Sequence, residues 1–133
     1  RKHDSTAYEE PFAYLESALD RANWDEVLDY ASWCLAIDPF DLRVYEAARR
    51  AQNELGQHEA LLKTLSVLAV LDEDRAVEYQ LASVQTYQAL GQTDEARRTI
   101  LSILEAFPEY RAAQEVLLSM HGPSETEEAA DAS

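Results

Sequence analysis

The side chains best suited to chemistry in this sequence are three histidines, a single cysteine and a few acidic clusters, and their spacing decides what they can do. His58-Glu59 opens like the helix of a zinc protease, where a second histidine four residues on completes the metal site. That position holds Leu62, so the pair lacks its second ligand. Asp72-Glu73-Asp74 has the acidic density of a calcium loop, but no glycine and no bidentate glutamate follow at the required places. It reads instead as an acidic helix start, favoured by the helix dipole. His3, His58 and His121 are too scattered to form a ligand set, and neither a Gly-rich phosphate loop nor a Gly-x-Ser-x-Gly elbow occurs. Cys34 lies on the apolar side of its helix. A reactive thiol needs an electropositive surrounding, and Asp38 and Asp41 supply the opposite, so Cys34 reads as a small core residue. These patterns imply no enzyme, no cofactor and no metal.

The elements that carry these residues come from a chain of 133 residues, 47% hydrophobic, with 3 Gly and 4 Pro. That is enough apolar material for one sizeable core. The best apolar stretch, Leu61 to Leu71, is broken by Lys63, Thr64 and Ser66, short of the roughly 18 uncharged residues a membrane helix needs. With 26 acidic against 11 basic side chains the formal charge is −15, which repels phosphate backbones and argues against nucleic acid. Lone Cys34 excludes an internal disulfide. Arg1 and Lys2 have no apolar stretch behind them, so this segment shows no targeting signal, which favours the cytoplasm. A start on Arg leaves room for a longer parent protein. Nine Arg against two Lys fits a GC-rich bacterial genome.

Internal self-similarity organises the chain. Asn23-Trp24-Asp25-Glu26-Val27 recurs as Gln57-His58-Glu59-Ala60 and as Gln92-Thr93-Asp94-Glu95-Ala96, each preceded by Ala22, Gly56 or Gly91. Val27, Ala60 and Ala96 are 33 and 36 residues apart, and Pro39 and Pro108 stand twelve residues after Val27 and Ala96. Helical spacing runs through Val27, Leu28, Ala31 and Leu35, and through Ala96, Ile100, Ile103 and Leu104. A first helix precedes each of these second helices, marked by Phe12, Leu15 and Leu19, by Val44, Ala48, Ala51 and Leu55, and by the run from Val77 to Leu90. Gly56 and Gly91 can take the left-handed conformation that ends a helix, and Asn23 can cap the next one. A last amphipathic helix runs from Tyr110 to His121, which makes about seven helices and no strand. Residues 122–133 read as a disordered acidic tail and residues 1–7 as a flexible segment.

At these residues the chain resembles the tetratricopeptide repeat (TPR) family. The match is carried by Asn23-Trp24-Asp25-Glu26 with Asp38-Pro39, and by Gly91-Gln92-Thr93-Asp94-Glu95-Ala96 with Phe107-Pro108. It covers residues 8–121 as units of about 8–41, 42–74 and 75–110 and a capping helix 110–121. The middle unit lacks one turn residue and the proline, and the third has two extra residues before its first helix. The resemblance implies an all-α, right-handed α-solenoid of antiparallel helix pairs. Ala31, Cys34, Ala60, Ala96 and Ile103 fall at the close helix approaches, where mostly small side chains are demanded.

The resemblance also implies a groove formed by the first helices. Carried over, its positions are Glu9, Phe12, Glu16, Leu19 and Asp20; Arg43, Glu46, Arg50, Asn53 and Glu54; and Glu78, Leu81, Gln85, Gln88 and Ala89, with Glu115 on the capping helix. Seven acids against two arginines give this face −5. Phe12, Leu19 and Leu81 read as apolar anchors for a peptide. Chaperone-binding members of the family hold a terminal carboxylate with lysines, asparagines and an arginine; the corresponding places here carry Phe12, Glu16, Ala47, Glu78 and Ala82, so that clamp is absent. On the outer stripe, Tyr30, Trp33 and Ile37 await cover from the segment around Tyr8, from a domain outside this segment, or from another molecule, a homodimer included. The sequence therefore reads as a non-enzymatic protein-interaction scaffold for a protein or peptide with basic and apolar residues. The rival reading is an accessory TPR domain of a larger enzyme or of a secretion or assembly component, where it orients substrate or mediates oligomerisation.

Overall fold

The computed structural model describes the backbone of residues 2–121 and the side chains of residues 8–120. Along it run α1 (Lys2–Asp20), α2 (Trp24–Ile37), α3 (Leu42–Leu55), α4 (His58–Leu71), a 3₁₀ turn (Glu73–Arg75), α5 (Ala76–Ala89), α6 (Thr93–Ala106) and α7 (Arg111–His121). All regular structure among the described residues is helical. The acidic tail expected over 122–133 lies outside the described residues. The expected flexible stretch over 1–7 differs from what is found, because the backbone of α1 is already helical from Lys2. Pro11 invites a start at residue 8, since a proline in the first helical turn forfeits no hydrogen bond. The helix instead runs through Pro11, which is buried inside it.

The local chemistry explains the breaks. Asn23 Oδ1 accepts the Glu26 amide at 3.3 Å and caps α2, and Asp41 Oδ1 accepts the Arg43 amide at 3.0 Å and caps α3. Asp38 ends α2 and turns the chain by accepting the Phe40 amide at 3.1 Å. The residue before each second-helix turn has a left-handed backbone: Gly56 at φ 71°, Gly91 at φ 76° and Ala22 at φ 55°. Glycine adopts this freely, whereas the Cβ of Ala22 opposes it by about 1–2 kcal/mol. Of the acidic triplet, Asp72 ends α4, and Glu73 and Asp74 lie within the 3₁₀ turn that precedes α5.

Two compact units divide the chain, one up to Tyr79 and one from Gln80. In the first, Leu15 and Ala18 of α1, Val27, Ala31 and Cys34 of α2, and Val44, Ala47, Ala48 and Ala51 of α3 form one buried cluster. Tyr8, Phe12, Leu19, Trp24, Leu28, Tyr30 and Leu35 pack around it. Leu61, Leu65 and Leu68 are the buried leucines of α4. In the second unit, Val84 and Thr86 of α5, Ala96, Ile100 and Ile103 of α6 and Ala113 of α7 are buried. Of the small positions read from the pattern, Ala31, Cys34 and Ala96 are fully inside and Ala60 is half-buried.

Two substitutions test this packing. Ala31→Leu forces a larger side chain into a position only 1% exposed and lowers unfolding free energy by about 1–3 kcal/mol in urea titrations. Ala22→Gly relieves the left-handed strain at the expense of a freer unfolded chain, for a net gain of about 0.5–1 kcal/mol measured in the same way.

Candidate protein-binding face

The expected groove positions of α1 and α3 fall into exposed acids and engaged cations. Glu9, Glu16 and Asp20 of α1 are exposed and make no hydrogen bond or ion pair among the described residues. On α3, Arg43, Arg50, Asn53 and Glu54 are exposed and Glu46 is half-buried. Neither arginine of this face is idle. Arg43 donates to Asp41 through Nε at 3.1 Å and Nη2 at 2.8 Å, and its Cζ lies 4.0 Å from the centre of the Phe12 ring. Arg50 stands over Trp24 at 5.1 Å. Cation–π contact of this kind uses the guanidinium face and covers the ring from water.

Phe12 and Leu19 therefore depart from the reading as free anchors. Phe12 is half-buried between Arg43 and Tyr8, whose ring stacks on it at 5.9 Å, and both Phe12 and Leu19 pack on the core cluster. Helical spacing places a residue on a face but does not reveal what the neighbouring helix lays over it.

The link between α1 and α3 centres on Asp41, which sequence reasoning considered only as a neighbour of Cys34. Its carboxylate is 8% exposed and accepts the Tyr8 hydroxyl at 2.5 Å as well as the Arg43 side chain and amide. The Arg43 hydrogen bond, aided by Tyr8 and the Arg43 amide, outweighs burial and holds the Asp41 pKa down at about 2. Burial and the adjacent Asp41 carboxylate push the Tyr8 phenol up, so it stays a donor. Burial, then Asp41, also raises the Cys34 thiol, as expected for an inert core cysteine.

A second polar link joins α3 to the start of α5. Arg75 lies 3.3 Å from both Glu46 and Glu78. The Tyr79 hydroxyl is 3.1 Å from Asp72 Oδ2 and 3.3 Å from Glu46 Oε2, so its one proton serves one carboxylate at a time. Arg49, 3.3 Å from Glu46, and Arg75 each stand 5.4 Å from the Tyr79 ring centre. Burial first, then Asp72 and Glu46, push the Tyr79 phenol to about 12. The sequence reading missed Tyr79, although a fully buried tyrosine amid carboxylates has a signal in the Tyr79–Glu46 separation of one repeat length, 33 residues.

The remaining expected positions belong to the second unit, where Leu81 is half-buried and Gln85, Gln88, Ala89 and Glu115 are exposed. On the other side of α1 and α2, Tyr30 is half-buried while Trp33 and Ile37 are exposed. Their aromatic neighbour is Tyr14, not Tyr8: Tyr14 stacks on Tyr30 at 5.3 Å and on Trp33 at 6.3 Å. His58 Nδ1 has no hydrogen-bond partner, and no group of three His, Cys, Asp or Glu among the described residues is placed to hold a metal. No helix among the described residues is long and apolar enough to cross a membrane.

The fold is similar to that of several solved proteins. The first TPR of Spaghetti (RPAP3), bound to the HSP90 peptide SRMEEVD, is 16% identical with a TM-score of 0.64, over 87% of this chain and 91% of that one. The type III secretion translocator chaperone SycD of Yersinia enterocolitica, in an alternative dimer, is 13% identical with a TM-score of 0.62, over 92% of this chain and 95% of that one. A second SycD structure is 15% identical at a TM-score of 0.58, over 94% and 90%. No protein-family model matches the sequence, and no curated protein matches it. The structural likeness shows the fold, a TPR-like helical repeat, to which the seven α-helices among the described residues correspond.

The Asp41 site carries a pH signature with a definite sign. Its folded pKa, about 2, lies below the ordinary value of 3.8, so its contribution is fully present above about pH 5 and is lost as pH falls toward 2. Asp41→Asn is expected to be less stable than the parent by about 1–2 kcal/mol at pH 7, and the two converge near pH 2 in urea titrations run across that range.

Proposed function

We propose that the chain is a non-enzymatic protein-interaction scaffold whose α1–α3 face receives a basic peptide or protein segment. One observation carries this reading: the arginines of the face are engaged by Asp41, Phe12 and Trp24, whereas Glu9, Glu16 and Asp20 make no hydrogen bond or ion pair among the described residues. Asp41 neutralises Arg43 while Arg50 keeps its charge over Trp24, so the three acids of α1 outnumber the one cation left to face a ligand. Lysine or arginine side chains would be steered in, and carboxylate-rich tails kept out. The fold supports the same class of role, since its structural neighbours include a peptide-bound TPR and a secretion chaperone. A peptide like SRMEEVD would meet carboxylates here rather than the cationic clamp of chaperone-binding relatives. The second reading, an accessory domain of a secretion or assembly component, draws on the likeness to SycD.

Selection from a displayed random peptide library tests the proposal, with binding rates of the recovered peptides measured over a range of salt. The expected peptides are rich in Lys or Arg, and their on-rates fall as salt screens the face. Reversing two exposed charges together, Glu16→Lys with Asp20→Lys, is expected to weaken them about tenfold while leaving the melting temperature unchanged. Recovery of acidic peptides, or indifference to both salt and the double reversal, overturns the acidic-face reading.

A further inference from the structure

Away from that face, α1 and α2 expose a second surface built of different residues. Tyr14 stands two residues beyond Phe12, about 200° around α1, and so points away from the side where Phe12 meets Arg43. Tyr14, Trp33 and Ile37 are 44%, 43% and 38% exposed; Tyr14 stacks on both Tyr30 and Trp33, and Ile37 stands one turn beyond Trp33 on α2, which makes an aromatic and apolar platform. Packing within the fold does not require it. The same register in the next two second helices carries Lys63, Ser66 and Val70, then Thr99, Ser102 and Ala106. An aromatic pair at this register is thus confined to α2, whereas Lys63 with Ser66 and Thr99 with Ser102 serve the other two helices.

The rim of the platform is acidic. Glu10 accepts the Tyr14 hydroxyl at 3.3 Å, and Asp29, one turn before Trp33, makes no hydrogen bond or ion pair among the described residues. Residues 8–38 hold eight acids and one base, Arg21, which is committed to Glu26 at 2.7 Å. A second copy of this face would set Glu10 and Asp29 against their own like charges, and the Glu-rich stretch 122–133 has the wrong sign as well.

We propose that the Tyr14–Tyr30–Trp33–Ile37 platform docks an amphipathic helix of a partner protein, with apolar side chains against the rings and Lys or Arg over Glu10 and Asp29. The rings supply the desolvated anchor and the acids select the partner by charge. This surface is separate from the α1–α3 face, and either can fail without the other.

The probe is a designed amphipathic peptide of leucine and lysine, about four turns long, with a leucine–glutamate twin as control. Binding is followed by the two indole N–H signals in heteronuclear NMR, Trp33 being assigned through Trp33→Ser. The leucine–lysine peptide is expected to shift the Trp33 indole more than that of Trp24, and the glutamate twin to shift neither. Trp33→Ser, which installs the residue found at this register in α4 and α6, is expected to weaken binding about tenfold with helicity and melting unchanged. Asp29→Lys, a surface change that leaves the rings intact, is expected to weaken it as well. The double reversal of Glu16 and Asp20 reports on the other face and changes this affinity by less than about twofold. Equal affinity for the two peptides, or binding unmoved by both Trp33→Ser and Asp29→Lys, overturns the proposal. A dimer of the free protein in sedimentation that Trp33→Ser abolishes also overturns it, since the occupant is then a second copy.

Discussion

Small side chains at the helix contacts are the constraint from which the first unit follows. Ala18, Ala31, Cys34, Ala47, Ala48 and Ala51 account for two thirds of its nine-residue buried cluster. Such residues let neighbouring helices approach closely, but each removes little apolar area from water. The larger side chains therefore gather at the edges of the cluster, where Tyr8, Phe12, Trp24 and Tyr30 pack as partly buried rings. Edge rings need cover on their outer faces, and the protein finds it in cations from α3: Arg43 over Phe12 and Arg50 over Trp24. Interior economy and surface electrostatics are in this way a single problem, and its solution leaves the acids of α1 as the charges facing outward.

The same logic operates at the hydroxyl ends of the rings. Tyr8 reaches Asp41 and Tyr79 reaches Glu46, in each case across 33 residues of sequence. A phenol can bury its ring against an apolar neighbour while its oxygen finds a carboxylate at the rim. Asp41 does more than accept that proton, because it also caps α3 and fixes the arginine that covers Phe12. Cap, tether and shield share one residue.

Much of this was legible in the sequence, for reasons that are local. Asn23, Gly56 and Gly91 mark helix boundaries through their own backbone chemistry, and the structure uses each of them that way. Buried Ala31, Cys34 and Ala96 follow from the register of the repeat. What spacing could not show is contact between helices. Phe12 and Leu19 share a helical face with Glu9 and Glu16, yet the former pack on the core and the latter stand in water, with Arg43 and Tyr8 closing over the Phe12 ring. The start of α1 at Lys2 went unread because the apolar positions that mark this helix in the sequence begin only at Phe12. Trp33 was legible as an exposed oddity. Its companion Tyr14 was not, since the pairing joins two helices.

The buried thiol of Cys34 has a use that none of these contacts was shaped for. It is wholly shielded, held protonated first by burial and then by the charge of Asp41, and it is the chain's single cysteine. An alkylating reagent can reach it only while the surrounding helices part. The rate of its modification is consequently a clock for transient opening of the first unit, readable by mass alone and free of any introduced label.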